Sequence, residues 1–311
     1  MSGMHRDRIK ASGSSQKVRS VIQVCSAVFF NGYLTGLKRG KIFTGKTKSF
    51  CVPVLNCYSC PAALGACPIG SLQAVLGSSG GRFPFYVLGS LMLFGVLLGR
   101  AVCGLLCPFG LIQDLLSKIP VKKISVPKKA DRLLRYVKYL ILVVFVILLP
   151  AFFRNDPGGS FPWFCKYICP AGTLEGGIPL MLLNPGLRDL AGPLFWWKVI
   201  LLAAVLTAAV FIPRFFCRYL CPLGAFYSLF SGFSLVRMTV DKESCVVCGK
   251  CSGACPMSID PVKQISGAEC ILCGRCRDVC PVSAISLNLP QHSDGSKDRP
   301  LPGTGSGPSA F

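Results

Sequence analysis

Two cysteine runs late in the chain carry the plainest chemistry. Cys245-Val-Val-Cys248-Gly-Lys-Cys251-Ser-Gly-Ala-Cys255-Pro256 and Cys270-Ile-Leu-Cys273-Gly-Arg-Cys276-Arg-Asp-Val-Cys280-Pro281 both read C-x2-C-x2-C-x3-C-P. In this pattern three closely spaced thiolates wrap one face of an iron–sulfur cube, and the fourth cysteine of each run ligates the other cube. The spacing predicts two [4Fe–4S] clusters, one on Cys245, Cys248, Cys251 and Cys280, the other on Cys270, Cys273, Cys276 and Cys255. Zinc fits worse, because zinc knuckles pair two C-x2-C units rather than doubling a triplet with a trailing Cys-Pro.

A second pattern recurs four times upstream: "CPIGSLQ" from Cys67, "CPFGLIQ" from Cys107, "CPAGTLE" from Cys169 and "CPLGAFY" from Cys221. Proline suits the first helical position, so each cysteine is expected to cap a helix start. A helix N-terminus favours negative charge, which a thiolate-ligated cluster carries. Glycine recurs three after each cysteine, and a hydrogen-bonding residue six after it: Gln73, Gln113, Glu175 and Tyr227. Three of these cysteines have a partner four residues upstream, giving Cys103/Cys107, Cys165/Cys169 and Cys217/Cys221. In the first copy the partner is Cys60, seven residues before Cys67, or else Cys57. Arg100 and Arg214 stand three before Cys103 and Cys217, marking a duplicated unit.

The elements that must position these thiols are apolar. Of 311 residues, 51% are hydrophobic and 15% charged, with 19 cysteines and a net charge of +21. The basic residues lie between apolar runs, which points to membrane-flanking loops and away from nucleic acid. Both histidines, His5 and His292, lie in polar tails, so bis-histidine haem in the apolar runs is excluded. Four runs are expected to span a bilayer: 18–37, 83–101, 137–153 and 194–213. The loop joining the second and third is rich in Lys and Arg, whereas that joining the third and fourth holds only Arg154, Lys166 and Arg188. This asymmetry predicts a multi-pass protein of the cell (inner) membrane, with both termini in the cytoplasm. One segment, "KRGKIFTGKTK", is basic although this topology puts it outside.

The predicted organisation is a basic tail (1–17), a four-helix membrane domain built as two helix-pair repeats (18–235), an α+β two-cluster ferredoxin domain (236–289) and a disordered tail (290–311). Cys103, Cys107, Cys217 and Cys221 follow the second and fourth spans and are expected to share one cluster on the cytoplasmic side. Cys60, Cys67, Cys165 and Cys169 are expected to form another on the outer side, with Cys57 as the alternative to Cys60. Sequence-local pairing of Cys60/Cys67 with Cys103/Cys107 requires the outer segments to dip across the membrane. A ~30 Å core would separate the two clusters, so either the outer motif dips inward or a quinone or flavin bridges. Gln113 and Glu175 are the polar residues placed to contact a quinone headgroup. Cys25 reads as an inert buried thiol, and Cys51 and Cys57 have no settled role.

Over 18–285 the chain resembles the NapH, NosR and FixG group of membrane polyferredoxins, through its spans, its C-x3-C-P motifs after the second and fourth, and its ferredoxin. It is closest in layout to NapH-type subunits. The resemblance implies an electron-transfer subunit, of quinol dehydrogenase type, working with lipid and with other subunits of a redox complex. The outer set, "CVPVLNCYSCPAALGACPIG" with "CKYICPAG", departs from the group's usual two motifs. Two other readings stay open: a redox sensor or metalloenzyme maturation factor, and an outer-face thiol oxidoreductase using Cys57-Tyr-Ser-Cys60.

Overall fold

The computed structural model describes residues 13–78, 83–153, 161–189 and 191–288. Most of the predicted basic tail and all of the predicted 290–311 tail lie outside these. The longer helices that frame the upstream cysteines are α1 Gly13–Phe30, α2 Pro68–Leu76, α3 Phe85–Leu97, α4 Pro108–Leu116, α5 Lys128–Phe152, α6 over 170–183, α7 Pro193–Phe211 and α8 Pro222–Phe230.

Among the described residues, α5 and α7 are long and apolar enough to cross a bilayer, by length and composition. The other two expected spans come out shorter. The run 18–37 stops as a helix at Phe30, because Phe30 O accepts Leu64 N–H (2.9 Å) and Tyr33 N–H is diverted to Ala62 O (3.1 Å). The run 83–101 gives only the 13 residues of α3, about 20 Å of helix. It ends where Gly99 takes a left-handed backbone (φ +53°). There the chain turns into a short helix, Ala101–Leu105, that carries Cys103.

The exterior is more apolar than that of a water-soluble fold, and several charged groups are buried. In α1, Arg19, Gln23 and Ser26 are buried while Val18, Val21, Ile22, Val28 and Phe29 are exposed. Arg100, Lys138 and Arg214 are at most 1% exposed, yet Phe85, Leu93, Leu140 and Ile200 face outward. This is the distribution expected when polar groups pair with one another inside and apolar groups meet lipid. The interior joins Leu55, Ile69, Leu91, Val102, Phe109, Val146, Phe164, Phe216 and Leu223 around the buried cysteines.

The C-terminal part is closed by an antiparallel pair, β1 Arg237–Val240 with β2 Ile285–Asn288, in register Arg237↔Asn288 to Val240↔Ile285. Between the strands, the backbone repeats at an interval of 25 residues. Left-handed conformations fall at Val247 and Leu272, at Gly249 and Gly274, and at Ser258 and Ser283. The cysteine runs repeat at the same interval, so each run folds as a copy of the other.

Candidate metal centres

The second cysteine run closes on a cavity. Cys255, Cys270, Cys273 and Cys276 line it, together with Met238, Met257, Ile259, Ile265 and Ile271. These four thiols lie within mutual electrostatic reach. A pocket walled by four thiols and otherwise by apolar side chains fits a thiolate-ligated cube. Of the other run, Cys251 and Cys280 pack on the cluster around Met238, Leu272 and Ile285, while Cys248 is exposed. The shared left-handed positions give this run the same thiol-wrapping backbone.

Cys67, Cys107, Cys169 and Cys221 each occupy an N-cap, with proline at the first helical position. Cys169 and Cys221 each accept the N–H of the glycine three residues on, at 3.4 Å. The structure gathers Cys103, Cys107, Cys217 and Cys221 into one buried group. Two devices lock it, the second of them symmetric between the halves. Gln113 Nε2 donates to Cys217 Sγ (3.1 Å), and Gln113 Oε1 accepts Phe216 N–H (3.0 Å). The two shared arginines cross over: Arg214 Nη1 donates to Cys103 O (2.6 Å) and Arg100 Nη2 to Cys217 O (3.4 Å). The recurring glycine lies under that crossing, tightly at Gly110 and in ordinary contact at Gly224. A methyl group on Gly110 would stand 3.2 Å from Arg214 Nη1, and one on Gly224 3.5 Å from Arg100 Nη2.

The buried arginines continue outward to acids. Arg214 grips Asp114 through Nε (3.0 Å) and Nη2 (2.6 Å), and Arg19 and Arg275 reach the same carboxylate. Burial pushes Asp114 up, but Arg214 and Arg19 outweigh it and hold the carboxyl below its usual range. Arg100 donates to Ala268 O (2.6 Å) and pairs with Glu269, which also holds Lys138 (2.6 Å). Positive charge therefore surrounds a group of thiols that would be anionic once ligating, which offsets the cost of burying that charge. The same contacts seat the ferredoxin part against the Cys103 helix. A methyl on Gly104 would lie 2.2 Å from Ile271 O and 3.6 Å from Cys273 Cα, so only glycine permits this approach.

The remaining predicted site residues fall differently. A methyl on Gly172 would touch Cys57 Sγ (3.6 Å) and Cys169 Sγ (3.9 Å), and one on Gly70 would touch Cys165 Sγ (3.7 Å). Cys67 lies within electrostatic reach of Cys165 and Cys169. Cys60, expected in this group, instead packs with Ala62 and Ala63 and points its thiol at Asn31 Oδ1 (3.7 Å). The expected separation of this group from the first is also corrected. Leu55 N–H faces Cys107 and Asn56 N–H faces Cys67, which puts those two thiols on the order of 10 Å apart. The two groups are neighbours, and no ~30 Å gap separates them.

Gln113, expected at a quinone, is fully buried, and both ends of its amide are bonded to protein. Glu175 is committed to Cys57 N–H through Oε2 (2.8 Å), and its Oε1 is buried without a partner. Burial pushes the Glu175 carboxyl up to about 7, against the pull of that N–H. Cys25 is exposed on α1 rather than buried.

Among the described residues, no three thiol, imidazole or carboxylate groups close to the spacing of a single bound ion. Around zinc, with Zn–S near 2.3 Å, thiols stand about 4 Å apart. One thiolate per iron of a cube spreads them more widely.

Fold and thiols together define a ferredoxin-type iron–sulfur protein with a second, helix-borne set of cysteines. Comparison with known proteins agrees. The 4Fe-4S binding domain family matches residues 83–127 and 194–239, the two helix-pair units holding Cys103/Cys107 and Cys217/Cys221, and a further 4Fe-4S binding domain matches 264–286. An uncharacterized protein of Methanocaldococcus jannaschii is 30% identical over 55% of this chain and 57% of its own length. The methylamine utilization ferredoxin-type protein MauN of Paracoccus denitrificans is 30% identical over 51% of this chain and 48% of its own. The regulatory protein NosR of Pseudomonas aeruginosa is 32% identical over 42% of this chain and 16% of its own. The chain thus spans less than two thirds of the length of the curated relatives it matches. No solved structure matches. The chain thus carries 4Fe-4S binding segments and is similar to ferredoxin-type electron-transfer proteins.

Proposed function

We propose that this chain is a membrane-bound electron-transfer subunit of a redox complex, with [4Fe–4S] clusters on the two ferredoxin quartets and on Cys103, Cys107, Cys217 and Cys221. The observation that carries this reading is the seating of Ile271 and Cys273 on Gly104, next to Cys103. It makes the ferredoxin thiols and the helix-borne thiols neighbours. A bound cube accepts or releases one electron at a time over a potential range set by its surroundings.

The chain's own residues set those surroundings. Gln113 N–H and the Gly224 N–H point at thiol sulfurs, Arg100 and Arg214 place buried charge beside them, and Phe109, Phe216 and Val102 keep water away. The exposed apolar faces of α1, α3, α5 and α7 suit four lipid-embedded segments. The Lys and Arg asymmetry suits a cytoplasmic ferredoxin domain.

A thiol oxidoreductase fits less well. It needs an accessible dithiol, but Cys60 is buried and Cys57 is only partly exposed. The test is anaerobic titration of the full chain with a low-potential donor. The wild type should show three or more one-electron centres. Cys103→Ser should lose one of them and leave the ferredoxin signals intact. Loss of none would remove the helix-borne centre from the account.

A further inference from the structure

We infer that Cys57, Cys67, Cys165 and Cys169 form a fourth [4Fe–4S] site, a structural copy of the Cys103–Cys221 site and immediately beside it. This rests on the reading of the chain as a cluster-bearing electron-transfer protein and extends it to residues outside the matched family segments.

The first argument is duplication of detail. Gln73 repeats Gln113: its Nε2 donates to Cys165 Sγ (3.4 Å) and its Oε1 accepts Phe164 N–H (2.9 Å). Cys169 repeats Cys221 in accepting the N–H of the third residue on. Lys198 Nζ donates to Cys165 O (3.1 Å), the place where Arg100 reaches Cys217 O. A fully buried amide with one end on a sulfur and the other locking the adjacent backbone is a built feature, and it occurs once per site.

The second argument is the identity of the fourth thiol. Cys57 Sγ lies within about 4 Å of the same point as Cys169 Sγ, and its own N–H is fixed by Glu175. Cys60 is turned toward Asn31. All of these thiols are free of disulfides.

The third argument is placement. The loop 53–57 runs between the two sites. Leu55 faces Cys107, Asn56 faces Cys67, and Pro53 O accepts the buried Tyr227 hydroxyl (2.9 Å). Tyr227 stands within reach of Cys67 on one side and of Cys103, Cys107 and Cys221 on the other. Tyr227 and Glu175 are the sixth residues of their motifs, and both are used to hold this loop in place. The site therefore adds one single-electron station next to the first, with no gap for a quinone or flavin to bridge.

The test is metal content and Mössbauer spectroscopy of the full chain, purified and reconstituted without oxygen. Wild type should hold about sixteen irons, four per cube. Cys57→Ser should lose about four, with the other three centres spectroscopically unchanged, and Cys60→Ser should lose none. About twelve irons in the wild type, or twelve irons with one zinc, would overturn the fourth cluster while leaving the proposed function standing. About eight would remove both helix-borne sites and the proposed function with them. Iron loss in Cys60→Ser but not in Cys57→Ser would overturn the ligand set. A variant that keeps all four thiols gives an independent check. Gln73→Leu should shift the midpoint potential of one centre, and Gln113→Leu that of a different one. A shift of the same centre in both would contradict two sites.

Discussion

Asp114→Asn isolates the charge network beneath the Cys103–Cys221 group. The carboxylate is 7% exposed, and its arginine partners Arg214, Arg19 and Arg275 are 0%, 6% and 26% exposed. Asparagine keeps the shape and one acceptor, but it removes the charge and turns an N–H donor toward guanidinium donors. Breaking a buried ion pair on one side costs about 3–5 kcal/mol, because the partner charge is left behind. The half-open contact with Arg275 adds at most about 1 kcal/mol. Thermal unfolding in detergent should therefore fall by roughly 6–24 °C for Asp114→Asn, on the scale of 2–4 °C per kcal/mol. Arg275→Gln should fall by no more than about 4 °C. Because the carboxyl is held below its usual range, its contribution is complete above that range and is lost only as pH falls through the lowered value. The gap between wild type and Asp114→Asn should thus be constant from pH 7 to 5. Equal, small shifts in the two variants would refute the assignment of Arg214 and Arg19 as the costly partners.

Gln113→Leu removes an N–H···S bond of 3.1 Å from the Cys217 thiol. Such bonds stabilise the reduced, more negative cluster, so redox titration should find its midpoint lowered by tens of mV, about 45 mV for each kcal/mol of lost preference. No change would mean that this amide serves the Phe216 backbone alone. For topology, an enzyme reporter fused after Phe311 should be active only in the cytoplasm, as the basic loop 118–138 implies. Activity only outside the cell would reverse the orientation.

Much of the site was legible because thiol ligation leaves a rigid spacing. The doubled C-x2-C-x2-C-x3-C-P run, the four Cys-Pro-x-Gly caps and the residue six positions on are visible in the chain itself. Their reasons were not. Gly110 is small because Arg214 from the other half passes close over it, a contact across more than 100 residues. The choice of Cys57 over Cys60 turns on a loop whose course is fixed by Glu175, Tyr227 and Asn31, none of them adjacent in sequence. The length of the apolar run did not set the length of the helix in two places. Apolar runs at 18–37 and 83–101 are long enough to cross a bilayer, but tertiary hydrogen bonds at Phe30 and the left-handed Gly99 end their helices early. Loop charge counting put residues 51–67 outside from the asymmetry of the two later loops, and the basic segment that holds Lys48 stood against it. It cannot register that Lys48 is buried on Ala63 O (2.8 Å) and covered by the protein itself.

The central claim is that pairs from the two halves, 114 positions apart at Cys107 and Cys221, complete one cluster. Iron content and Mössbauer intensity of Cys107→Ser, Cys221→Ser and the double variant test it directly. The expected result is the same missing component, about four irons, in all three, since a shared site makes the losses non-additive. A double variant missing about eight irons, with a different component absent from each single variant, would contradict the claim and assign the two pairs to separate clusters.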